Sequence, residues 1–560
     1  MYYERYLSGF SACSGWASDE EIASSAGALP ATWDRPEEAG VVLYNQNGRL
    51  VLDGGNECRH VLIIGATGTG KSRLLIIPSL LYSLAARNKR SFVVFDVKGE
   101  LEAATRHLAL NQGYEMLRID LRHPQNGDSW NPFAKINRLY WAGEEARAMK
   151  LLEDIIDSVF CDKSRDPFWR NSSAQLFRGI CYLIWEKGQD LSLNQILEYT
   201  QNFSLDGTSA YNPLTKDYSC LNTDSQARRN LAGFMAGSDQ TMGNIIASYN
   251  SYLSPFSSRQ DIIQMLSGEK SVDFAGIGLR PSLLYVSLPD DSTALGSLTA
   301  ILLKQLTQEL NECAAACGGR LPVRTELYID ELCNIQPAIP GLASSLTIAR
   351  SRGMRYVLAI QSYAQLQGVY DSAAETIAAN CSTWISLNIA KDESFRLKLS
   401  ALCGKNALGE ALITPSQLAL LKYEEGIVIR ERCRPYFTRF EDLSAVLARL
   451  RAHPLYARAI EETEKDAARP KQPDTQAPDE EAMRKRRAAK RLAFRECVLR
   501  RKKERDDPFD LSFLDFPDLD LDDADHEEEG SGGGDDEYVD PEYMVDDDFD
   551  QDLDDLYDKF

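Results

Sequence analysis

The chain has 560 residues, of which 44% are hydrophobic and 26% are charged, which excludes disorder throughout and predicts two or three folded units. Its net charge of −22 comes from the C-terminal end, because residues 506–560 hold 25 acidic residues and one basic residue. The preceding part has 61 basic and 59 acidic residues and is nearly neutral, so the acidic total does not exclude a nucleic-acid substrate.

The cysteines and the apolar runs indicate a soluble, cytoplasmic protein. Twelve cysteines are spread over the chain without a C-x-x-C pair, which argues against a disulfide-rich secreted domain. The N-terminus lacks the succession of basic, apolar and small residues that is typical of a secretory signal. The strongest apolar run, residues 74–86, is interrupted by polar residues and is shorter than the ~20 residues that span a bilayer.

In chain order, the first regular pattern is a predicted hairpin at residues 40–54, with its turn at Asn47-Gly48. Three apolar runs follow at residues 60–65, 91–100 and 116–122, and helical patterns lie between them. Short apolar strands that alternate with helices are typical of a doubly wound, mostly parallel α/β sheet. The sequence therefore predicts an α/β nucleotide-binding fold from residue 36 onwards.

A change of pattern interrupts this fold between residues 143 and 265, where long stretches have helical spacing and few β-branched clusters. We interpret them as an inserted all-α domain. The α/β pattern then resumes, with apolar runs at residues 282–289, 326–332, 355–362 and 383–389. One nucleotide-binding domain is thus predicted over residues 36–142 and 266–450.

The two ends of the chain are predicted to lie outside these domains. Residues 1–35 show no sustained hydrophobic period and are interpreted as an N-terminal extension. Residues 451–505 are interpreted as a polar linker and a basic segment; twelve bases and two acids lie between residues 484 and 505. Residues 506–560 are interpreted as a disordered acidic tail that is unable to bury a core.

The strongest motif, GATGTGKS at residues 65–72, matches the P-loop pattern G-x4-G-K-[ST] between a strand and a helix. In such a loop backbone N–H groups and a helix N-terminus cradle phosphates, so that Lys71 reaches the β- and γ-phosphates and Ser72 ligates Mg²⁺. A glycine-rich turn without nucleotide is the alternative. The sequence therefore predicts ATP and Mg²⁺ as cofactors, held by Gly65, Ala66, Thr67, Gly68, Thr69, Gly70, Lys71 and Ser72.

Polar residues at the ends of two later strands complete the predicted site. Asp330 is placed to hold Mg²⁺ and Glu331 to orient or deprotonate the attacking water. Gln361 is placed to sense the γ-phosphate. Solvated acids and an ordinary strand-end glutamine are the alternatives.

A basic stretch between these strands contains Arg350, Arg352 and Arg355. One of these arginines could act in trans as an arginine finger, and Arg350 is our choice. An exposed basic helix end is the alternative for each of them.

Taken together, these motifs resemble the VirD4/TraG/TraD type IV coupling proteins over about residues 40–445. The resemblance is carried by the segments HVLIIGATGTGKS, FDVKGE, SWNPF, YIDELCNI, IPGLASSLTIARSRGM, AIQSYAQL and NCSTWISLN. It implies a RecA-like hexameric ATPase at the cytoplasmic base of a type IV secretion channel, which recruits relaxase-bound single-stranded DNA for conjugation. It also implies that Lys71 and Ser72 bind nucleotide and metal, that Asp330 and Glu331 form the Walker B pair, and that Gln361 is a third ATPase motif.

The chain departs from the family pattern in two places. Val97 stands where FDVKGE commonly has a proline, which predicts a small change in turn stiffness. The N-terminal transmembrane helices of the family are not found in the sequence, so we expect either a soluble variant or attachment to the inner face of the plasma membrane through a membrane-embedded channel partner.

Several roles stay open at this point. The basic segment could bind DNA phosphates or anionic lipid, or be a solvated charge run. The all-α domain or the acidic tail could recruit a relaxase or an accessory protein, and the tail could instead mimic nucleic acid or only confer solubility. A nucleotide-gated adaptor without sustained turnover, and a RecA-like ATPase for pilus assembly or chromosome segregation, are the alternatives to a DNA motor.

Overall fold

The structure is a computed structural model. It describes residues 15–25, 27–45, 49–54, 58–160, 167–201, 213–268, 271–288, 295–336, 338–406 and 408–468. The predicted hairpin turn at Asn47-Gly48, the basic segment and the acidic tail lie outside these residues.

Strands of two sheets form the framework of the fold. In chain order they are β1 (Ala28–Ala31), β2 (Val41–Tyr44), β3 (Leu50–Asp53), β4 (Val61–Ile64), β5 (Ser91–Asp96), β6 (Glu115–Asp120), β7 (Ser282–Ser287), β8 (Thr325–Ile329), β9 (Met354–Ile360), β10 (Thr383–Ser386), β11 (Glu425–Arg430) and β12 (Tyr436–Arg439). The large sheet has nine strands in the order β12-β11-β10-β4-β9-β8-β5-β7-β6. The strands from β10 to β6 are parallel, whereas β11 and β12 are antiparallel.

Helices cover both faces of the large sheet. In chain order they are α1 (Asp19–Ser24), α2 (Ile77–Ala85), α3 (Glu100–Asn111), α4 (Ala134–Trp141), α5 (Glu145–Val159), α6 (Pro167–Glu186), α7 (Leu193–Gln201), α8 (Pro213–Ser219), α9 (Gln226–Met235), α10 (Asp239–Ser257), α11 (Gln260–Leu266), α12 (Phe274–Ile277), α13 (Gly296–Ala316), α14 (Leu342–Arg352), α15 (Tyr363–Tyr370), α16 (Ala373–Asn380), α17 (Glu393–Cys403), α18 (Pro415–Ala419), α19 (Leu443–Leu450) and α20 (Pro454–Ala468). None of the helices in the described part of the chain is both long and apolar enough to cross a membrane.

The central strands explain why the α/β prediction is correct. Every residue of β4, β5, β7, β8 and β9 is buried, because helices pack on both faces of the sheet. Strands covered on both faces are nearly continuous apolar runs rather than alternating ones, and the sequence shows such runs. The mostly parallel sheet that was predicted is therefore confirmed.

The connection between β6 and β7 is helical in all of its described elements, from α4 to α12. Its helices share a large apolar core, in which the rings of Tyr140 and Trp185 stack with centroids 4.1 Å apart. Arg259 ties this part to the sheet, because its Nη2 donates to the carbonyl oxygen of Arg122 just after β6, at 2.9 Å. The all-α domain boundaries at residues 143 and 265 stay a prediction.

The described part of residues 1–35, which are predicted to be an N-terminal extension, is folded onto the domain. β1 pairs with β3 to make a three-stranded antiparallel sheet in the order β1-β3-β2. Ile22 of α1 is buried, and the Nε of Arg434 donates to Glu21 Oε2 at 2.7 Å. These elements have four to six residues, too few to show a hydrophobic period.

Within the stretch that is interpreted as a polar linker from residue 451, α20 packs against α3. Tyr456 is buried, and Asp466 Oδ2 lies 2.7 Å from His107 Nε2. Only one face of this helix packs on the domain, and its outer face is charged. The helix therefore contains few apolar residues. The change in pattern after residue 450 therefore marks an amphipathic helix.

A buried network of charges joins the small sheet to the edge of the large sheet at which its parallel strands begin. Asp53 at the end of β3 lies 3.4 Å from Arg355 and 3.3 Å from Arg430, measured from carboxylate oxygen to guanidinium nitrogen. Glu326 of β8 pairs with Arg90 at 2.6 Å and lies 3.7 Å from Arg355. Arg355 therefore has a structural role.

Candidate nucleotide site

The P-loop lies at the carboxyl end of β4 and is anchored to both neighbouring strands. Gly65 N donates to the carbonyl oxygen of Ile360, which ends β9, at 3.1 Å, and Ala66 N donates to Asn388 O at 3.2 Å. Gly70 has a φ of +93°, and a Cβ there would lie 2.8 Å from Leu74, so glycine is required. A π-helical turn, Lys71–Ile76, follows and runs on into α2.

Lys71 reaches back over this loop. Its Nζ donates to the carbonyl oxygen of Gly65 at 2.7 Å, and its side chain is buried. Burial lowers the pKa of Lys71, although the nearby carboxylates of Asp330 and Glu331 oppose that shift. A buried ammonium in a P-loop is suited to hold phosphate oxygens.

Asp330 directly follows β8, and its carboxylate is buried close to the P-loop. Burial and the neighbouring charge of Glu331 raise the pKa of Asp330 to about 6, against the opposing effect of Lys71. Its Oδ1 is buried and makes no hydrogen bond to any described residue. A buried carboxylate oxygen without a hydrogen-bond donor is suited to bind a cation. Ser72, in the first helical turn after the P-loop, adds a hydroxyl oxygen. Carboxylate and hydroxyl oxygens are ligands that Mg²⁺ prefers.

Glu331 has an unusual backbone and two side-chain contacts. Its φ is +54°, which is uncommon for a residue other than glycine. Its Oε2 accepts a hydrogen bond from Asn334 Nδ2 at 2.5 Å, and its Oε1 lies 3.5 Å from Lys98 Nζ. Both oxygens of this carboxylate thus face a donor.

Lys98 is brought to the site because β5 neighbours β8. Asp96, the last residue of β5, accepts hydrogen bonds from Gly99 N at 2.7 Å and Glu102 N at 2.9 Å, which fixes the turn that carries Lys98. Although burial opposes it, the charge of Glu331 raises the pKa of Lys98. No role was predicted for this lysine, although FDVKGE, the motif that contains it, was the available sequence signal.

Gln361 belongs to the same edge of the sheet as Lys71, Asp330 and Glu331. It follows Ile360, whose carbonyl oxygen bonds to the first residue of the P-loop. The carboxyl ends of adjacent parallel strands meet at one edge, which explains why residues nearly 300 positions apart in sequence converge.

Arg350 is not brought to this edge. It is an exposed residue in the last turn of α14, before the amino end of β9, and the seven residues of β9 separate that end from Gln361 by about 20 Å. Arg352 Nη1 donates to Gly319 O at 3.2 Å at the same distant edge. Neither arginine contacts the P-loop of its own chain.

The helical turn after the P-loop is also held by a carboxylate that is distant in sequence. Arg73 makes two hydrogen bonds to Asp442, at 2.8 and 3.1 Å, and Tyr423 Oη donates to Asp442 at 2.7 Å. The Tyr423 ring also lies beside Gly70. The hydrogen bond from Arg73 is the main reason why the pKa of Asp442 is far below its usual range. Arg73 and Asp442 are 369 positions apart, so no local sequence pattern predicts their contact.

Comparison with known proteins gives one family and several similar structures. A family model described as "Type IV secretory system Conjugative DNA transfer" matches residues 16–414, while a search of curated proteins finds no match. The unbound monoclinic form of the bacterial conjugative coupling protein TrwBdeltaN70 has a TM-score of 0.52 and 19% identity, over 74% of this chain and 94% of that chain.

Two other structures agree with this result. The trigonal form of TrwBdeltaN70 with sulphate is 20% identical, and the plasmid coupling protein TrwB with the ATP analogue ADPNP is 19% identical. Each has a TM-score of 0.50 over 69% of this chain and 86% of the other. These similarities confirm the predicted RecA-like fold. Because the family model covers more than half of the sequence, the chain belongs to the type IV secretory system conjugative DNA transfer family, the coupling proteins that its motifs resemble.

Proposed function

We propose that this protein is an ATP-driven motor that recruits relaxase-bound single-stranded DNA and passes it to a type IV secretion channel during conjugation. One observation carries the proposal: Lys71, Asp330, Glu331 and Gln361 converge at one edge of the sheet of a conjugative DNA transfer protein. Phosphoryl transfer to water requires a phosphate cradle, a metal ligand and a base, and this edge offers all three.

We assign the cofactors to groups at this edge. The backbone N–H groups of residues 65–72 and the ammonium of Lys71 hold the phosphates of ATP, and Ser72 and Asp330 hold Mg²⁺, which neutralises the charge of the phosphate oxygens. The complex of the coupling protein TrwB with an ATP analogue supports this assignment. The unpartnered Oδ1 of Asp330 is the observation from this chain that supports the metal site.

The chemistry is assigned to two side chains. Glu331 accepts a proton from the attacking water, because it follows β8 at the edge of the sheet where the P-loop lies. Gln361 follows the strand next to the P-loop, where its amide can contact the γ-phosphate or that water. Lys71 stabilises the charge that develops on the transferred phosphoryl group.

The function is tested by steady-state ATP hydrolysis at low salt, with and without single-stranded DNA. We expect DNA to raise the rate, and Glu331→Gln to lower kcat by about 10²- to 10⁴-fold, since a general base is lost. Its control is Glu461→Gln, an exposed acid of α20. ATP binding without turnover would favour the adaptor, and turnover indifferent to DNA would favour an ATPase for pilus assembly.

We further propose that six copies form a ring and that Arg350 acts on the nucleotide of a neighbouring copy, because it is exposed and lies about 20 Å from its own P-loop. We expect Arg350→Ala to lower kcat at least about 10²-fold and Arg352→Ala to have a much smaller effect.

Mixing subunits tests the action in trans. A mixture of Arg350→Ala chains and Lys71→Ala chains should hydrolyse ATP faster than either variant alone, because a Lys71→Ala neighbour still supplies Arg350. The control mixes Arg350→Ala with a double variant that lacks both residues. A mixture no more active than its components contradicts the assignment.

The partners of the motor are proposed from the same family membership. They are a relaxase or accessory protein, bound through the helical part or the acidic tail, and a membrane-embedded channel component that holds the motor at the inner face of the plasma membrane. Deleting residues 506–560 tests the tail: unchanged relaxase binding by the shortened chain would assign recruitment to the helical part.

A further inference from the structure

We propose that Asn334 is a positioning residue for Glu331, and that Gln365 links this pair to the helix that follows Gln361. The inference rests on the proposed hydrolysis of ATP by this site. It concerns which oxygen of Glu331 receives the proton and what holds the other oxygen in place.

The two donors on Glu331 differ in how firmly they are held. Asn334 Nδ2 donates to Oε2 at 2.5 Å from the adjoining turn of the backbone, whereas Lys98 approaches Oε1 at 3.5 Å on a side chain that is 50% exposed. Asn334 has a short side chain on the adjoining turn, whereas the long and partly exposed side chain of Lys98 can move to a phosphate. Oε2 is therefore fixed by Asn334, and Oε1 is left to accept the proton of water.

The backbone supports this arrangement. Glu331 has a φ of +54°, which is uncommon for a residue other than glycine. It is held by a tight turn, Leu332–Asn334, in which Asn334 N donates to Glu331 O at 2.8 Å. Asn334 thus holds Glu331 through both its backbone and its side chain.

Gln365 fixes the direction of the Asn334 amide. Gln365 Nε2 donates to Asn334 Oδ1 at 3.4 Å, which leaves the Asn334 NH₂ group to face the carboxylate. Gln365 lies in the first turn of α15, where its backbone N donates to Ser362 Oγ at 3.1 Å. The chain of hydrogen bonds from Gln365 through Asn334 to Glu331 therefore begins four residues after Gln361.

The exposure of Asn334 makes a clean experiment possible. Because its side chain is exposed, Asn334→Ala and Asn334→Asp should fold with thermal midpoints close to that of the unchanged chain. We expect Asn334→Ala to lower kcat about tenfold with less than a twofold change in KM for ATP. Asn334→Asp, which keeps the shape but replaces the donor by a like charge, should lower kcat further.

Two further variants separate positioning from a merely structural effect. Asn334→Gln keeps the amide and should recover part of the kcat that Asn334→Ala loses. Gln365→Ala alone should lower kcat about threefold. In a protein that already has Asn334→Ala it should lower kcat by much less, because the two side chains belong to one chain of hydrogen bonds. Gln336→Ala, an exposed amide two residues from Asn334, is the matched control.

The outcomes distinguish this inference from the proposed function. If the unchanged chain hydrolyses ATP and Glu331→Gln abolishes turnover, but Asn334→Ala and Asn334→Asp keep full kcat, the positioning role is overturned alone. A rise in KM with unchanged kcat overturns it too, since that result assigns Asn334 to nucleotide binding. If the unchanged chain has no turnover, the proposed function fails, and the positioning role fails with it.

Discussion

Replacing Lys71 by alanine is expected to abolish ATP hydrolysis and to weaken ATP binding at least about tenfold. No other proposed variant of the site is expected to lose both turnover and ATP binding. The reason is electrostatic. The buried ammonium of Lys71 lies over the loop, 2.7 Å from Gly65 O, and it is the cation that a triphosphate would meet inside the P-loop. A charge-assisted bond to phosphate in a water-poor site is worth more than ~2 kcal/mol, or more than tenfold in affinity.

Equilibrium titration with a fluorescent ATP analogue, beside steady-state turnover, checks this prediction. Glu331→Gln is the matched comparison, because it should bind the analogue with nearly unchanged affinity while it fails to turn over. A Lys71→Ala protein that binds the analogue as tightly as the unchanged chain would contradict the placement of the phosphates. Retained affinity with lost turnover would instead give Lys71 a role in the transition state only.

The part of the site that depends on one short stretch of chain was predictable. The P-loop carries its own signal, because its glycines, its lysine and its serine are contiguous. Asp330 and Gln361 follow apolar strands, and the carboxyl ends of parallel strands meet at one edge, so their convergence with Lys71 follows from topology. The central strands could also be predicted from the sequence, since burial on both faces makes them continuous apolar runs.

The remainder depends on contacts between distant residues. The pairs Lys98–Glu331 and Arg73–Asp442 exist only because of strand order, and a single sequence contains no measure of that order. The proposed role of Asn334 depends on the positive φ of Glu331, and the residue types in this segment do not predict a positive φ. Short elements such as β1 and α1 were missed because four to six residues cannot show a period.

The buried charges at the opposite edge of the sheet lead to the largest expected effect on stability. Asp53→Ala should lower the free energy of unfolding by about 3–5 kcal/mol, because Arg355 and Arg430 would remain buried without the carboxylate between them. Asp53 is fully buried and also accepts a hydrogen bond from Thr383 Oγ1 at 2.7 Å, which adds to the loss. Chemical denaturation, followed by a probe of the folded domain, measures the difference.

The matched control is Glu37→Ala, which removes the exposed ion pair with Arg87 and should cost less than about 1 kcal/mol. If Asp53→Ala costs no more than this control, the network does not hold the two sheets together. A triple variant with Arg355→Met and Arg430→Met should recover much of the loss, since apolar side chains need no counter-charge. Because this network lies a strand length from the P-loop, the folded Asp53→Ala protein should bind ATP normally, so that stability and nucleotide binding are separable in this fold.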